Sequence, residues 1–133
     1  MSISSLDPAL TVLLVEDSRM LHDRLLELMA DIDGIRSIGT ATTEAEAIHA
    51  IDTQHPGAIL LDLRLKEGTG FGVLRHINTL DVRPSVVVIT NYALPQYRKQ
   101  AEVLGVRFFL DKSRDFEQIP DTLEFLRREQ RLS

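Results

Sequence analysis

Cysteine is missing from this 133-residue chain, which excludes disulfide frameworks, zinc–cysteine sites and thiol nucleophiles. Positive charge is not in excess: 15 Lys and Arg stand against 20 Asp and Glu. The resulting formal charge of −5 argues against a nucleic-acid or acidic-membrane surface. Long apolar runs are lacking too. The longest, such as Val12–Val15, cover four residues, far short of the roughly 20 that a membrane span needs. The opening MSISSLDPAL has neither a basic region nor an apolar stretch, so it does not read as a signal peptide. What is present, 44% hydrophobic and 26% charged residues, suits one globular domain able to bury a core without staples. A single domain over 1–133, with a tail at 1–9, a core at about 10–128 and a cytoplasmic location, is the expectation.

Along the chain, short β-branched runs alternate with helical patterns. Continuous hydrophobicity at Thr11–Val15, Ala58–Leu61, Val86–Ile89 and Val106–Leu110 predicts strands covered on both faces, as in a parallel sheet. A weaker run at Arg36–Ala41, with a glycine and polar residues, reads as an edge strand. Between them, Leu21, Leu25, Leu28 and Ile32 form one helical stripe. Thr43–Glu46 reads as a capping box ahead of Ala47, Ile48 and Ile51. Phe71, Leu74 and Ile77 mark a third helix, Pro95 opens a fourth that ends before Gly105, and Phe116, Ile119, Leu123 and Leu126 mark a fifth. Five such units predict a doubly wound, three-layer α/β fold with right-handed crossovers.

In such sheets ligands bind beyond the carboxyl ends of the strands, where strand order reverses. The residues there are Glu16 and Asp17 after the first strand, Asp62 after the third, Thr90 after the fourth, and Asp111 and Lys112 after the fifth. A flavodoxin-like order 2-1-3-4-5 would gather Glu16, Asp17 and Asp62, with Thr90 and Lys112 along the same rim. Two unit charges about 4 Å apart repel by roughly 4 kcal/mol at an effective dielectric of about 20, so three acids need a cation or a proton among them. An all-oxygen donor set fits a hard divalent ion such as Mg²⁺. With an ammonium and a hydroxyl added, the rim complements a phosphoryl group.

This set resembles the receiver domain of two-component response regulators, most closely the single-domain chemotaxis-regulator type, over about Leu10 to Arg128. The resemblance rests on Glu16–Asp17, Asp62, Thr90 and Lys112 in order, on Phe109 three positions before the lysine, and on Gly70 eight positions after Asp62. It implies phosphoryl transfer from a phosphohistidine to Asp62, dependent on Mg²⁺ (or Mn²⁺). Asp17, Asp62 and the backbone carbonyl of Arg64 would hold the ion, with Glu16 acting through water. Lys112 would contact the phosphoryl group. Thr90 and Phe109 would act as the switch, reshaping the surface of the fourth helix, fifth strand and fifth helix. Such a domain catalyses its own phosphorylation and dephosphorylation and is not an enzyme acting on a separate substrate. The implied partners are a sensor histidine kinase or histidine phosphotransfer protein and a downstream protein, with no nucleic acid and no membrane. The implied state is a monomer or a weak phosphorylation-dependent homodimer.

The chain departs from the family pattern at several places. Ser113 stands where proline often follows the lysine in a cis bond, and without proline a cis bond costs roughly 3 to 4 kcal/mol. Lys66 also replaces a frequent proline. Asn91 replaces a small residue, and Arg64 and Tyr92 occupy positions that tune the lifetime of the phosphorylated state. Phe109 offers no tyrosine hydroxyl for a partner to read. Gly68, Gly70 and Gly72 fit no phosphate-cradling motif and read as shaping the turn into the third helix. The dispersed His22, His49, His55 and His76 read as exposed helix and loop residues, and Lys99, Arg127, Arg128 and Arg131 as solvated faces. Tyr97 is a candidate partner anchor. Three alternatives stay open: a receiver-like binding module that is never phosphorylated, a metal-dependent phosphatase, and a flavodoxin. The last two are disfavoured, by Arg64 at the place of a second acid and by acids where flavin phosphate would need donors.

Overall fold

Stacked side by side, the apolar runs form one sheet. The computed structural model describes residues 9–91 and 93–132. Tyr92, the tail before residue 9 and the side chain of Arg131 lie outside the described residues. The element order is β1 (Leu10–Val15), α1 (Arg19–Ala30), β2 (Ile35–Ala41), α2 (Glu44–Gln54), β3 (Ala58–Leu61), α3 (Gly70–Ile77), β4 (Ser85–Thr90), α4 (Pro95–Val103), β5 (Phe108–Asp111) and α5 (Ile119–Leu132). A 3-10 turn at Phe116–Gln118 leads into α5. All four pairings are parallel and the strand order is β2-β1-β3-β4-β5, as the sequence predicts. Among the described residues, no helix is long and apolar enough to cross a membrane.

Strand alternation divides the core into two layers. Leu13, Val15, Ile59, Leu61, Val88 and Phe109 face one side, where they pack with Ala47 and Ile51 of α2, Val73 and Leu74 of α3 and Ala101 of α4. Val12, Leu14, Leu60, Val87, Ile89 and Leu110 face the other, against Leu25 and Met29 of α1 and Ile119, Leu123 and Leu126 of α5. The inner strands are buried on both faces, which accounts for their unbroken hydrophobicity. β2 lies at the edge and is irregular: its register against β1 shifts between Val12 and Leu13, so that Ile38 is the extra residue.

Several local expectations need correction. β5 begins at Phe108 rather than Val106, because Gly105 turns with φ +89° and the Val106 N–H is committed to Ala101 of α4 at 3.1 Å. On α1 the deeply buried residues are Leu25 and Met29. Leu21 and Leu28 pack at the margin, and Ile32 lies beyond the helix end. Phe116 sits in the 3-10 turn rather than in α5. At α2 only half of the capping box forms. Thr43 Oγ1 accepts from the Glu46 N–H at 3.1 Å, but Glu46 reaches past Thr43 to accept from both Thr42 N–H and Thr42 hydroxyl at 2.9 Å.

Candidate functional site

β1, β3, β4 and β5 end on one rim, and each contributes a functional side chain. Backbone bonds align the ends: the Glu16 N–H reaches Ala41 O at 2.9 Å, Asp62 N–H reaches Val15 O at 3.0 Å, and Lys112 N–H reaches Thr90 O at 3.0 Å. Each strand thus fixes the start of its neighbour's loop. Glu16, Asp62 and Thr90 are almost wholly buried, whereas Asp17 is exposed. One carboxylate oxygen from each of Glu16, Asp17 and Asp62 lies within 4.8 Å of the others. An open cleft of about 170 Å³ is lined by these acids together with Ser18, Arg64, Asn91 and Lys112.

Lys112 reaches across the cleft, placing Nζ 2.8 Å from Asp62 Oδ2 and 2.8 Å from Glu16 Oε2. The contact with Asp62 is a hydrogen bond. The one with Glu16 is an ion pair, and the buried Oε2 has no other partner among the described residues. Glu16 Oε1 accepts from the Ser18 N–H at 3.0 Å, and Asp62 Oδ1 accepts from the Arg64 N–H at 3.2 Å. Burial pushes the Glu16 carboxyl above its ordinary range, against the opposing pull of Lys112 and the Ser18 N–H. Burial alone would lower the Lys112 ammonium, but Asp62 and Glu16 together outweigh it and hold it above its ordinary range. One ammonium therefore serves two acids and leaves the third in the cleft, so the donor set fits a hard cation.

The loops around the cleft are braced in ways the sequence alone does not display. At Gly70 a Cβ would stand 2.5 Å from Asp62 O and 2.8 Å from Leu63 Cα, so only glycine lets α3 start this close behind Asp62. Gly68 has φ +78°, and a Cβ on Gly72 would fall on the Glu44 carboxylate. Glu44 Oε1 accepts from the Thr69 N–H at 3.0 Å, so the glycine turn cradles a carboxylate of the chain itself. Among the described residues no peptide bond is cis, so Lys112–Ser113 is trans. Phe109 is 7% exposed and packed in the core, with the Arg98 guanidinium 4.7 Å from the ring centroid. Tyr97 packs on Phe71, ring centroids 6.0 Å apart. Of the histidines, His76 bridges α3 to Asp52 of α2 at 2.7 Å, and His22 meets Asp23 at 3.2 Å in a hollow that adjoins the cleft and shares Glu16 and Asp17 with it. The role of Glu44 carries no signal in the sequence, since a lone acid near a helix start ordinarily reads as a cap.

Against known proteins, the family model of the response regulator receiver domain matches residues 12–124. The chain belongs to that family, the receiver domains of two-component response regulators. A Vibrio cholerae serotype O1 protein described as an uncharacterized response regulatory protein is 30% identical over 124 residues, which cover 93% of this chain and 51% of that protein. The sensory transduction protein LytT of Bacillus cereus is 28% identical over 115 residues, covering 86% and 46% respectively. The chain spans about half the length of these curated relatives. Among solved structures, the signal receiver domain of a putative Luxo repressor protein from Vibrio parahaemolyticus is 27% identical. It superposes with a TM-score of 0.85, covering 93% of this chain and 94% of that one.

Proposed function

We propose that this receiver domain accepts a phosphoryl group on Asp62 from the phosphohistidine of a sensor histidine kinase or histidine phosphotransfer protein, in a Mg²⁺-dependent reaction. The observation that carries this reading is Asp62 Oδ2 held 2.8 Å from Lys112 Nζ in a cleft shared with Glu16 and Asp17. In the transfer, an Asp62 carboxylate oxygen forms the new O–P bond as the P–N bond of the phosphoimidazole breaks, and the imidazole leaves with its electron pair and takes up a proton. Asp17, Asp62 and the carbonyl of Arg64 would hold Mg²⁺, with Glu16 acting through water. The ion supplies neutralisation of the charge that builds on the transferring oxygens. Lys112, already paired with Asp62, would contact the transferred phosphoryl group. Asn91 and Arg64, at the mouth, and Tyr92 would tune access of water to the acyl phosphate and so its lifetime.

Thr90 and Phe109 would convert the modification into a surface change on α4, β5 and α5. Phosphorylation adds roughly one to two negative charges, and the Thr90 hydroxyl provides a donor for them. Moving a population from about 1:99 to 99:1 takes about 5.5 kcal/mol of differential stabilisation. The reshaped face would signal to, or relay to, a downstream protein, with the domain monomeric or a weak phosphorylation-dependent homodimer in the cytoplasm. Mass spectrometry after acetyl phosphate or phosphoramidate with Mg²⁺ tests the reading. Wild type should gain one phosphoryl group and Asp62→Asn none. An unmodified wild type would favour the alternative, a binding module that works by association alone.

A further inference from the structure

We infer that Asp115 is a positioning residue for Lys112, acting through Asp111 and the turn between them; this rests on the phosphoacceptor reading above. The ammonium of Lys112 has little freedom, since it stands 2.8 Å from two acids that follow different strands. Its backbone must therefore be fixed, and no proline follows it to do so. On one side Lys112 N–H is pinned to Thr90 O at 3.0 Å. On the other, Asp111 Oδ1 accepts from Ser113 N–H at 2.8 Å, Ser113 Oγ at 2.7 Å and Arg114 N–H at 3.1 Å. Asp115 closes the turn: its Oδ2 accepts from Asp111 N–H at 2.9 Å, and its own N–H returns to Asp111 O at 2.8 Å. The remaining oxygen, Oδ1, takes Arg114 Nε at 3.3 Å and Gln118 Nε2 at 3.2 Å. An aspartate whose side chain is 12% exposed, with both oxygens engaged and a reciprocal bond spanning the lysine, fixes where that lysine begins.

The test reads Lys112 directly. The chain has three lysines, and Lys66 and Lys99 are exposed, so they serve as internal references in a timed acetylation of the folded protein followed by mass spectrometry. In wild type, Lys112 should be protected relative to both. In Asp115→Ala, Lys112 should label as fast as the references while theirs stay unchanged, and Asp62 phosphorylation at saturating phosphoramidate should slow by about tenfold or more. Asp115→Asn keeps an oxygen able to accept from Asp111 N–H and should recover most of both. If Asp115→Ala does not fold, Asp115→Ser, too short to reach that N–H, takes its place with the same expectations. Lys112 remaining protected in the variant, or all three lysines rising together, overturns the inference. A wild type that shows the protection but takes up no phosphoryl group would remove the phosphoacceptor reading, while the labelling still decides for or against Asp115.

Discussion

The two loops that hold the acid and the lysine do the same job by different physics. The loop after β3 is held from outside, by contact, by backbone bonds and by the Glu44 carboxylate of α2. Gly70 lies against the Asp62 carbonyl, Lys66 N–H reaches Thr42 O at 3.1 Å, and Glu44 N–H reaches Glu67 O at 3.0 Å. The loop after β5 is held by its own side chains, Asp111, Ser113 and Asp115. Both loops lack a proline frequent in the family, and both use the restored N–H: Lys66 donates to Thr42 O and Ser113 to Asp111 Oδ1. Proline stiffens a chain by fixing φ and removing a donor. Here a hydrogen bond from the donor does the stiffening instead. The lesson is that rigidity at a site can be built from sterics or from polar bonds, and that the two kinds fail under different conditions.

The largest expected effect is on the steric brace. Gly70→Ala must push the Asp62 backbone or α3 aside, because neither atom it meets belongs to a flexible side-chain end. Overpacking of this kind costs about 1–3 kcal/mol. A lower midpoint in urea together with loss of Asp62 phosphorylation is expected, and an unaltered midpoint would show that the two elements are not in forced contact. Next comes Glu44→Ala, which leaves the Thr69 N–H without its acceptor at the start of α3 and should cost about 1 kcal/mol. The gap it leaves is next to Gly72, whose Cβ would otherwise strike the Glu44 carboxylate. Adding Gly72→Ala to Glu44→Ala should therefore regain about 0.5–1 kcal/mol through helix propensity, whereas Gly72→Ala alone should destabilise. Additive effects in that double-mutant cycle would show the cradle to be incidental.

Acid separates the two loops. Bonds from the Ser113 hydroxyl and N–H and from Arg114 N–H hold the Asp111 carboxyl below its ordinary range, and the Asp111 N–H does the same for Asp115. A carboxylate whose folded pKa is depressed contributes stability that is fully present above its unfolded value, about 3.9, and is lost as pH falls through the lower folded value. Stability from the loop after β5 should accordingly fade below pH about 4, and urea midpoints should fall less steeply there in Asp115→Asn than in wild type. Identical acid limbs for the two proteins would mean that this carboxyl makes no linked contribution. The Gly70 contact carries no titrating group and should contribute equally across the same range.

How far the sequence reveals these features depends on the range over which a pattern acts. The convergence of Glu16, Asp17, Asp62 and Lys112 follows from local signals once a flavodoxin-like strand order is assumed, because each polar residue directly succeeds a buried run and parallel topology aligns those ends; Thr90 is tied to them through its carbonyl, which accepts from the Lys112 N–H. Gly70 stands out by its distance from Asp62, although the reason, a carbonyl 2.5 Å from a would-be Cβ, is visible only in three dimensions. Glu44 carries no such signal: it acts 25 residues away, on Thr69. Thr43–Glu46 matches a capping box, yet Glu46 binds Thr42, because spacing specifies which donors are within reach and not which one is taken. Asp115 has the sequence context of a helix cap, and its bond to Asp111 N–H belongs to a turn that shows only in three dimensions.

Ser113→Ala should have the smallest effect of the series and sharpens the comparison most finely. The substitution removes the hydroxyl bond to Asp111 Oδ1 but keeps the Ser113 N–H and Arg114 N–H bonds to the same oxygen. If backbone donors fix the turn and the hydroxyl only supplements them, the loss in urea stability should be a fraction of that in Glu44→Ala, and the lysine labelling pattern should stay as in wild type. A loss comparable to Asp115→Ala would instead make the hydroxyl the principal brace. The loop after β5 would then depend on one exposed serine rather than on the paired aspartates, and the contrast with the loop after β3, braced from outside, would become sharper still.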